Sequence, residues 1–272
     1  MANAHVNGVR LHYERTEDGT PPLVLVHGSW DSHHDWDAVV PTLAESFGVL
    51  TYDRRGHSAS ERPAGQGSVR EDVADLAALM EHVGMAPAWV VGNSFGGSIA
   101  LRLAAQHGDM VLGVIAHEPP LFGLIADDPA MAAGLEEEEA AMAGVVERIE
   151  SDDHAGAAEA FIEAVLGPGA WSQFPRDAKE TMIENAPTFL DEARDPEQEA
   201  FDPAWLAAFH RPVMLSLGSE SPSRYRAIVT RLATALPHAE VVEFRGAGHV
   251  PHVTHPEDFV ETTRAFILGS ES

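Results

Sequence analysis

The chain has 272 residues, no cysteine, and 43 acidic against 17 basic side chains, which gives a formal net charge of −26. With Lys179 as its only lysine it offers no basic stripe to follow a phosphate backbone, and the missing thiols exclude disulfides, thiolate nucleophiles and cysteine-ligated zinc. No apolar run approaches the roughly 18 residues of a membrane span and the start carries no basic, apolar leader pattern, so a cytoplasmic protein with no nucleic-acid or membrane partner is expected.

In chain order, residues 4–6 and 9–14 flank Asn7-Gly8, a pair that tolerates positive φ at both central positions of a tight turn, and predict an antiparallel hairpin. Short apolar runs at 23–26, 48–52, 89–91, 111–116, 212–217 and 241–244 read as strands buried on both faces. Helical spacing of apolar residues over 72–80, and the Ala, Leu and Ile of 97–106, place helices between them. This alternation predicts an α/β fold with about eight strands in a mostly parallel sheet flanked by helices. From 121 to 209 no strand signal appears and the composition turns to Ala, Glu and Met, which predicts a helical cap between the sixth and seventh strands. The core is then 1–120 with 210–272. The acidic run 136–139 is expected on a solvated helix face, and Gly167-Pro168-Gly169 and Asp195-Pro196 break the cap helices.

Gly92-Asn93-Ser94-Phe95-Gly96 fits G-x-S-x-G between an apolar strand and a helix start. A serine lifted on such a turn needs small neighbours because the backbones crowd, and the helix behind it aims amides at developing negative charge. Ser94 is therefore the candidate nucleophile. A serine hydroxyl needs an imidazole to take its proton, and His249 is the candidate base, following the last strand and the loop Arg245-Gly246-Ala247-Gly248. His252 and His255 follow at spacings of three, but Pro251 and Pro256 preclude a regular ligand-bearing helix, so no metal is expected there.

The elbow, together with His27-Gly28-Ser29-Trp30 and Gly246-Ala247-Gly248-His249, resembles the α/β-hydrolase superfamily over nearly the whole chain. Asp53-Arg54-Arg55-Gly56-His57-Ser58 resembles the family's Asp-x-Arg-Gly-x-Gly-x-Ser turn, with Ser58 at its second glycine, and is expected to be structural. The resemblance implies an oxyanion hole from the Phe95 amide and the loop after the third strand, with Ser29 first and Gly28 next. It also implies an aspartate in a turn after the seventh strand, but Gly218-Ser219-Glu220-Ser221 puts Ser221 at that place. A serine cannot hold an imidazolium by charge. The candidate acids are Glu118, in His117-Glu118-Pro119-Pro120 at the end of the sixth strand, and Glu220; strand alternation and reach favour Glu118.

The His-Glu-x-Pro segment, the seventh-strand turn without aspartate and the His255-Pro256 helix start are similar to the zearalenone lactonases, which carry a Ser-Glu-His triad. The chain departs from them at His27-Gly28, at Asn93 and Phe95, and at Asn185-Ala186-Pro187-Thr188-Phe189, where they read Asn-x-Pro-x-Trp. The same macrocyclic substrate is therefore not expected. Trp30, Phe189 and Trp171 are the expected substrate-binding aromatics, with Phe161, Phe174 and Met182 beside them, and His33, His34 and Asp31 lie just beyond the oxyanion loop.

The expected activity is hydrolysis of a small-molecule carboxylic ester or lactone through an acyl-enzyme, with no cofactor. C–C bond hydrolysis or perhydrolysis on the same serine is the enzymatic alternative, and a non-catalytic ligand-binding protein is the other. Monomer and homodimer are equally compatible with the sequence.

Overall fold

Asn7 and Gly8 both take left-handed backbone, φ 46° and 79°, and turn strand β1 (Ala2–Val6) into β2 (Val9–Arg15). The computed structural model describes residues 2–16 and 19–270. The remaining strands are β3 (Pro22–Val26), β4 (Gly48–Tyr52), β5 (Ala88–Asn93), β6 (Val111–His117), β7 (Val213–Gly218) and β8 (Glu240–Phe244). Their order across one sheet is β1-β2-β4-β3-β5-β6-β7-β8. β2 pairs antiparallel with β1 and β4, and all other pairs are parallel.

The central runs are apolar throughout because both faces are covered, and the two-residue strand period divides them between two cores. Val24 and Val26 join Val90, Leu76 and Ile99 in one; Leu23 and Leu25 join Val91, Trp36 and Phe259 in the other. Each such side chain, fully buried, contributes roughly 1.5–3 kcal/mol relative to exposure. The helices that supply the coverage and the cap are α1 (Val40–Leu43), α2 (Val69–His82), α3 (Phe95–Gln106), α4 (Ala132–Glu150), α5 (His154–Leu166), α6 (Ala170–Gln173), α7 (Arg176–Asn185), α8 (Phe189–Ala193), α9 (Ser223–Ala235), α10 (Pro251–Thr254) and α11 (Pro256–Ser270). None among the described residues is long and apolar enough to cross a membrane.

Between β6 and β7 the described chain is helical, with its own apolar cluster of Val145, Ile149, Ala158, Ile162, Met182 and Phe189. Trp30 from the core loop enters this cluster and ties the cap to the sheet. The acidic run of α4 is not uniformly solvated: Glu136, Glu137 and Glu139 are exposed, while Glu138 turns inward and pairs with Arg224 on α9 at 2.8 Å. A carboxylate meeting a guanidinium at a helix contact is held there, where an unpaired one would hydrate.

Candidate active site

Ser94 stands between the end of β5 and the start of α3 with φ 54° and ψ −123°, a conformation that costs a non-glycine residue on the order of 1–3 kcal/mol. The surroundings hold it there. Its N–H donates to His117 O at the end of β6 (2.9 Å), and its own carbonyl accepts from Gly97 and Ser98 in the first turn of α3. The elbow packs so tightly that a Cβ on Gly96 would stand 2.1 Å from Val26 O, which is why the motif requires glycine there.

His249, on the loop after β8, is buried, and its Nδ1 is 2.6 Å from Glu118 Oε2. That contact puts the proton on Nδ1 and leaves Nε2 as the acceptor. The Tyr225 ring from α9 stacks on the imidazole with centroids 4.8 Å apart. Glu118 follows β6 directly, with φ +43°, and is fully buried; its second oxygen accepts from Gly218 N–H at 2.7 Å. Burial would raise its carboxyl, but the hydrogen bond and charge of His249, with His117 and Ser221 beside it, bring it down to about 2. Ser221, in the turn where an aspartate was expected, is half-buried, and its hydroxyl makes no hydrogen bond among the described residues. Glu220 is exposed and pairs with Ser219 Oγ at 3.0 Å, so it does not reach the imidazole.

Two backbone amides are free near Ser94. Phe95 N–H is in the first turn of α3, where no intrahelical acceptor exists, and neither it nor Ser29 N–H donates to an acceptor among the described residues. The Ser29 amide is aimed by its neighbour: Gly28 O accepts from His27 Nδ1 (2.8 Å) and Arg54 Nη1 (3.1 Å), and in a trans peptide the N–H points opposite to the carbonyl. Burial, then the Arg54 charge, lower His27 to about 4, so the ring is neutral, donating from Nδ1 and accepting the Arg54 N–H at Nε2 (3.0 Å). Gly28 passes so close that a Cβ there would lie 3.2 Å from Ser94 Cβ.

Sequence reasoning missed what lies behind this loop. The buried Arg54 guanidinium grips Asp72 through Nε (3.2 Å) and Nη2 (3.1 Å), meets Glu192 of α8 at 2.9 Å, and covers the Phe95 ring at 4.4 Å. Glu192 in turn accepts from Ser29 Oγ at 2.5 Å. The motif turn announces Arg54, but nothing in the sequence marks Glu192 as its partner.

Ser94, His249, Gly28 and Ser29 share a cavity of about 70 Å³. Among the described residues no hydrogen bond joins Ser94 to His249. The remaining walls are Phe161, Ile162, Val165, Leu166, Phe174, Met182, Val250 and Val253, with Asn93, Asp31 and Asp35 as the polar members. Val165, Leu166, Phe174, His249, Val250 and Val253 also line an adjoining cavity of about 600 Å³.

Three expected substrate-binding aromatics lie outside the lining of this cavity. Trp30 is buried and stacks on Phe161 at 4.9 Å, with Phe189 at 5.4 Å, so Trp30 and Phe189 form the base of the cap and do not line the cavity. Trp171 stacks on Phe174 from outside the lining, under Lys179. Of the cap aromatics Phe161 and Phe174 line the cavity, and the aliphatic Ile162, Val165 and Leu166 of α5 supply the wall beside them. Of the loop residues, His34 is exposed, His33 is buried against Asp53, and Asp31 reaches the cavity, where burial and then the Asp35 charge raise its carboxyl well above the usual range. His252 is buried, with Nε2 2.9 Å from Asp35. The metal-capable side chains that converge among the described residues, His12, His33 and Asp53, lie outside the cavity lining.

Strand order, elbow and helical insert together define one class, and residues 21–256 match it: the chain belongs to the alpha/beta hydrolase fold family. It is 39% identical to a soluble epoxide hydrolase of Corynebacterium sp. (strain C12) over 108 residues, 40% of this chain and 37% of the relative. The matched chain thus spans about two fifths of the length of the curated relatives. Among solved structures, a thermophilic esterase from Thermogutta terrifontis superposes with a TM-score of 0.78 at 22% identity, covering 100% of this chain and 99% of that one. The enol-lactonase from Burkholderia xenovorans LB400 gives 0.67 at 24% identity, over 98% and 100%. Identities this low carry the fold alone.

Proposed function

We propose that the protein hydrolyses carboxylic esters or lactones through an acyl-enzyme on Ser94, with His249 as base and Glu118 as the acid that orients it. The observation that carries this reading is the 2.6 Å contact between His249 Nδ1 and Glu118 Oε2, which leaves the basic Nε2 available on the cavity that Ser94 shares. His249 takes the hydroxyl proton as Ser94 Oγ adds to the carbonyl carbon, and the oxyanion is received by the Phe95 and Ser29 amides. The imidazolium then returns the proton to the leaving alkoxide. Water, deprotonated by the same nitrogen, releases the carboxylic acid and restores the serine.

The similarity to an epoxide hydrolase does not redirect the chemistry. A serine oxygen opening an epoxide would form an ether that water cannot cleave under mild conditions, whereas a carboxylate nucleophile forms a hydrolysable ester, and position 94 is serine. The apolar walls favour an acyl or aryl group of modest size beside Ser94 with a longer portion in the adjoining cavity. A panel of aryl esters, aliphatic lactones and macrocyclic lactones tests the reading. Turnover that disappears in Ser94→Ala, with labelling of Ser94 by a fluorophosphonate, is the expected result; an unlabelled serine and no turnover on any member overturn it.

A further inference from the structure

Past the Ser29 amide the chain turns at Trp30, which takes left-handed backbone with φ 70°, and Asn185 on α7 fixes the turn by donating from Nδ2 to the carbonyls of Trp30 (3.2 Å) and Asp31 (2.9 Å). Ser32 then caps the short helical turn His33–Trp36 by accepting from His34 N–H, which sets Asp35 one helical turn beyond Asp31. Both residues line the Ser94 cavity. Asp35 is backed by the buried His252, whose Nε2 is 2.9 Å from its Oδ2. Asp31 has no such neighbour: no basic side chain pairs with it among the described residues, and burial followed by the charge of Asp35 raises its carboxyl well above the usual range.

A third acceptor opens on the same space. Asn93 closes β5 beside the nucleophile, is 4% exposed and lines the cavity, and its Oδ1 accepts no hydrogen bond among the described residues. Such a buried oxygen is destabilising until a donor reaches it. The other polar members are already engaged: Ser29 Oγ by Glu192, and Ser94 and His249 by the bond cleavage proposed above. No Lys or Arg lines the cavity, so the protein sets two carboxyls and a carboxamide oxygen there without a cation of its own. We infer that Asp31 and Asp35, with Asn93 Oδ1, receive a primary ammonium group carried by the substrate.

An ammonium brings three donors and a positive charge, whereas a hydroxyl brings one donor and leaves the carboxyls without a countercharge. It is also compact enough for a cavity of about 70 Å³, with its hydrocarbon stem against Phe161, Ile162 and Met182. The net charge of −26 draws small cations toward the molecule. The subsite rests on Ser94 cleaving an ester or lactone, and narrows that class to substrates with an amine in the acyl or alcohol part. Asp31 and Asp35 bind this group and take no part in the proton transfers.

Hexylamine and hexanol differ in the group that meets the carboxyls, and neither contains an ester. Titrated calorimetrically into Ser94→Ala at physiological salt, hexylamine is expected to bind about tenfold tighter or more, the size of one charge-assisted hydrogen bond. Added to Ser94→Ala, Asp31→Asn and Asp35→Asn each bring the preference close to one, and Asp37→Asn, an exposed carboxylate outside the lining, keeps it. With Ser94 intact, the ratio of kcat/KM for an aryl ester of para-aminomethylbenzoic acid over its para-ethyl isostere falls by a similar factor in Asp31→Asn. Equal affinity for amine and alcohol, a preference unchanged in Asp31→Asn, or one lost in Asp37→Asn overturns the inference. Turnover of neutral esters without an amine preference removes the subsite and leaves the ester reading. Asp31-dependent amine binding in a protein that cleaves no ester supports the subsite and removes that reading.

Discussion

The two oxygens of Glu118 divide their work: Oε2 holds the His249 ring and Oε1 takes the Gly218 amide. A carboxyl drawn down to about 2 stays ionised across the neutral range and keeps the imidazole in the tautomer with Nδ1 protonated. Glutamine at 118 keeps the shape and removes the charge, so kcat is expected to fall about 10³- to 10⁴-fold in Glu118→Gln while Glu220→Gln stays near wild type, both read on an aryl ester. Equal rates in Glu118→Gln and wild type would remove Glu118 from the mechanism. Ser94 and His249 can be singled out from sequence because each sits in a short motif whose neighbours share one turn. Glu118 becomes legible only by elimination, once the turn at Ser221 lacks a carboxylate. Asp31, singled out beside the loop, does line the cavity, while Asp35 was not legible there, because its approach depends on how the cap closes over the loop.

Arg54 shows what an element-level contact adds. It links the turn after β4, α2 through Asp72, and α8 through Glu192, and its Nη1 fixes the Gly28 carbonyl and with it the Ser29 amide. Because Glu192 also holds Ser29 Oγ, the cap is fastened directly to the loop after β3. Removing one partner of a buried ion pair leaves the other uncompensated, so Glu192→Ala is expected to destabilise the protein by on the order of 3–5 kcal/mol in urea unfolding. A change below about 1 kcal/mol would mean that Asp72 alone satisfies Arg54. The strands and the helical insert were readable because apolar runs of three to six residues and helical spacing are local signals. The Arg54–Glu192 contact joins residues separated by 138 positions, and no local pattern encodes a pairing that only the folded cap creates.

At the scale of the whole molecule, acidity tests the assembly. Glu118 titrates at about 2 when folded against its ordinary 4.5, so the unfolded chain binds this proton first. Its contribution, on the order of 3 kcal/mol, is complete above pH 4.5 and is lost as the pH falls toward 2. The stability gap between wild type and Glu118→Gln in chemical denaturation is expected to narrow from pH 6 to pH 3; a constant gap would mean that the carboxylate is not held ionised by the fold. The same carboxylate governs how related sequences can change. An aspartate at 221 beside an intact Glu118 sets two carboxylates around one imidazole, where one of them keeps its proton and adds nothing. Losing Glu118 first leaves His249 unoriented and the Gly218 amide without an acceptor. The order of change therefore matters: a lineage that gains the second carboxylate first can lose Glu118 afterwards, whereas the reverse order passes through a chain whose imidazole has no carboxylate behind it.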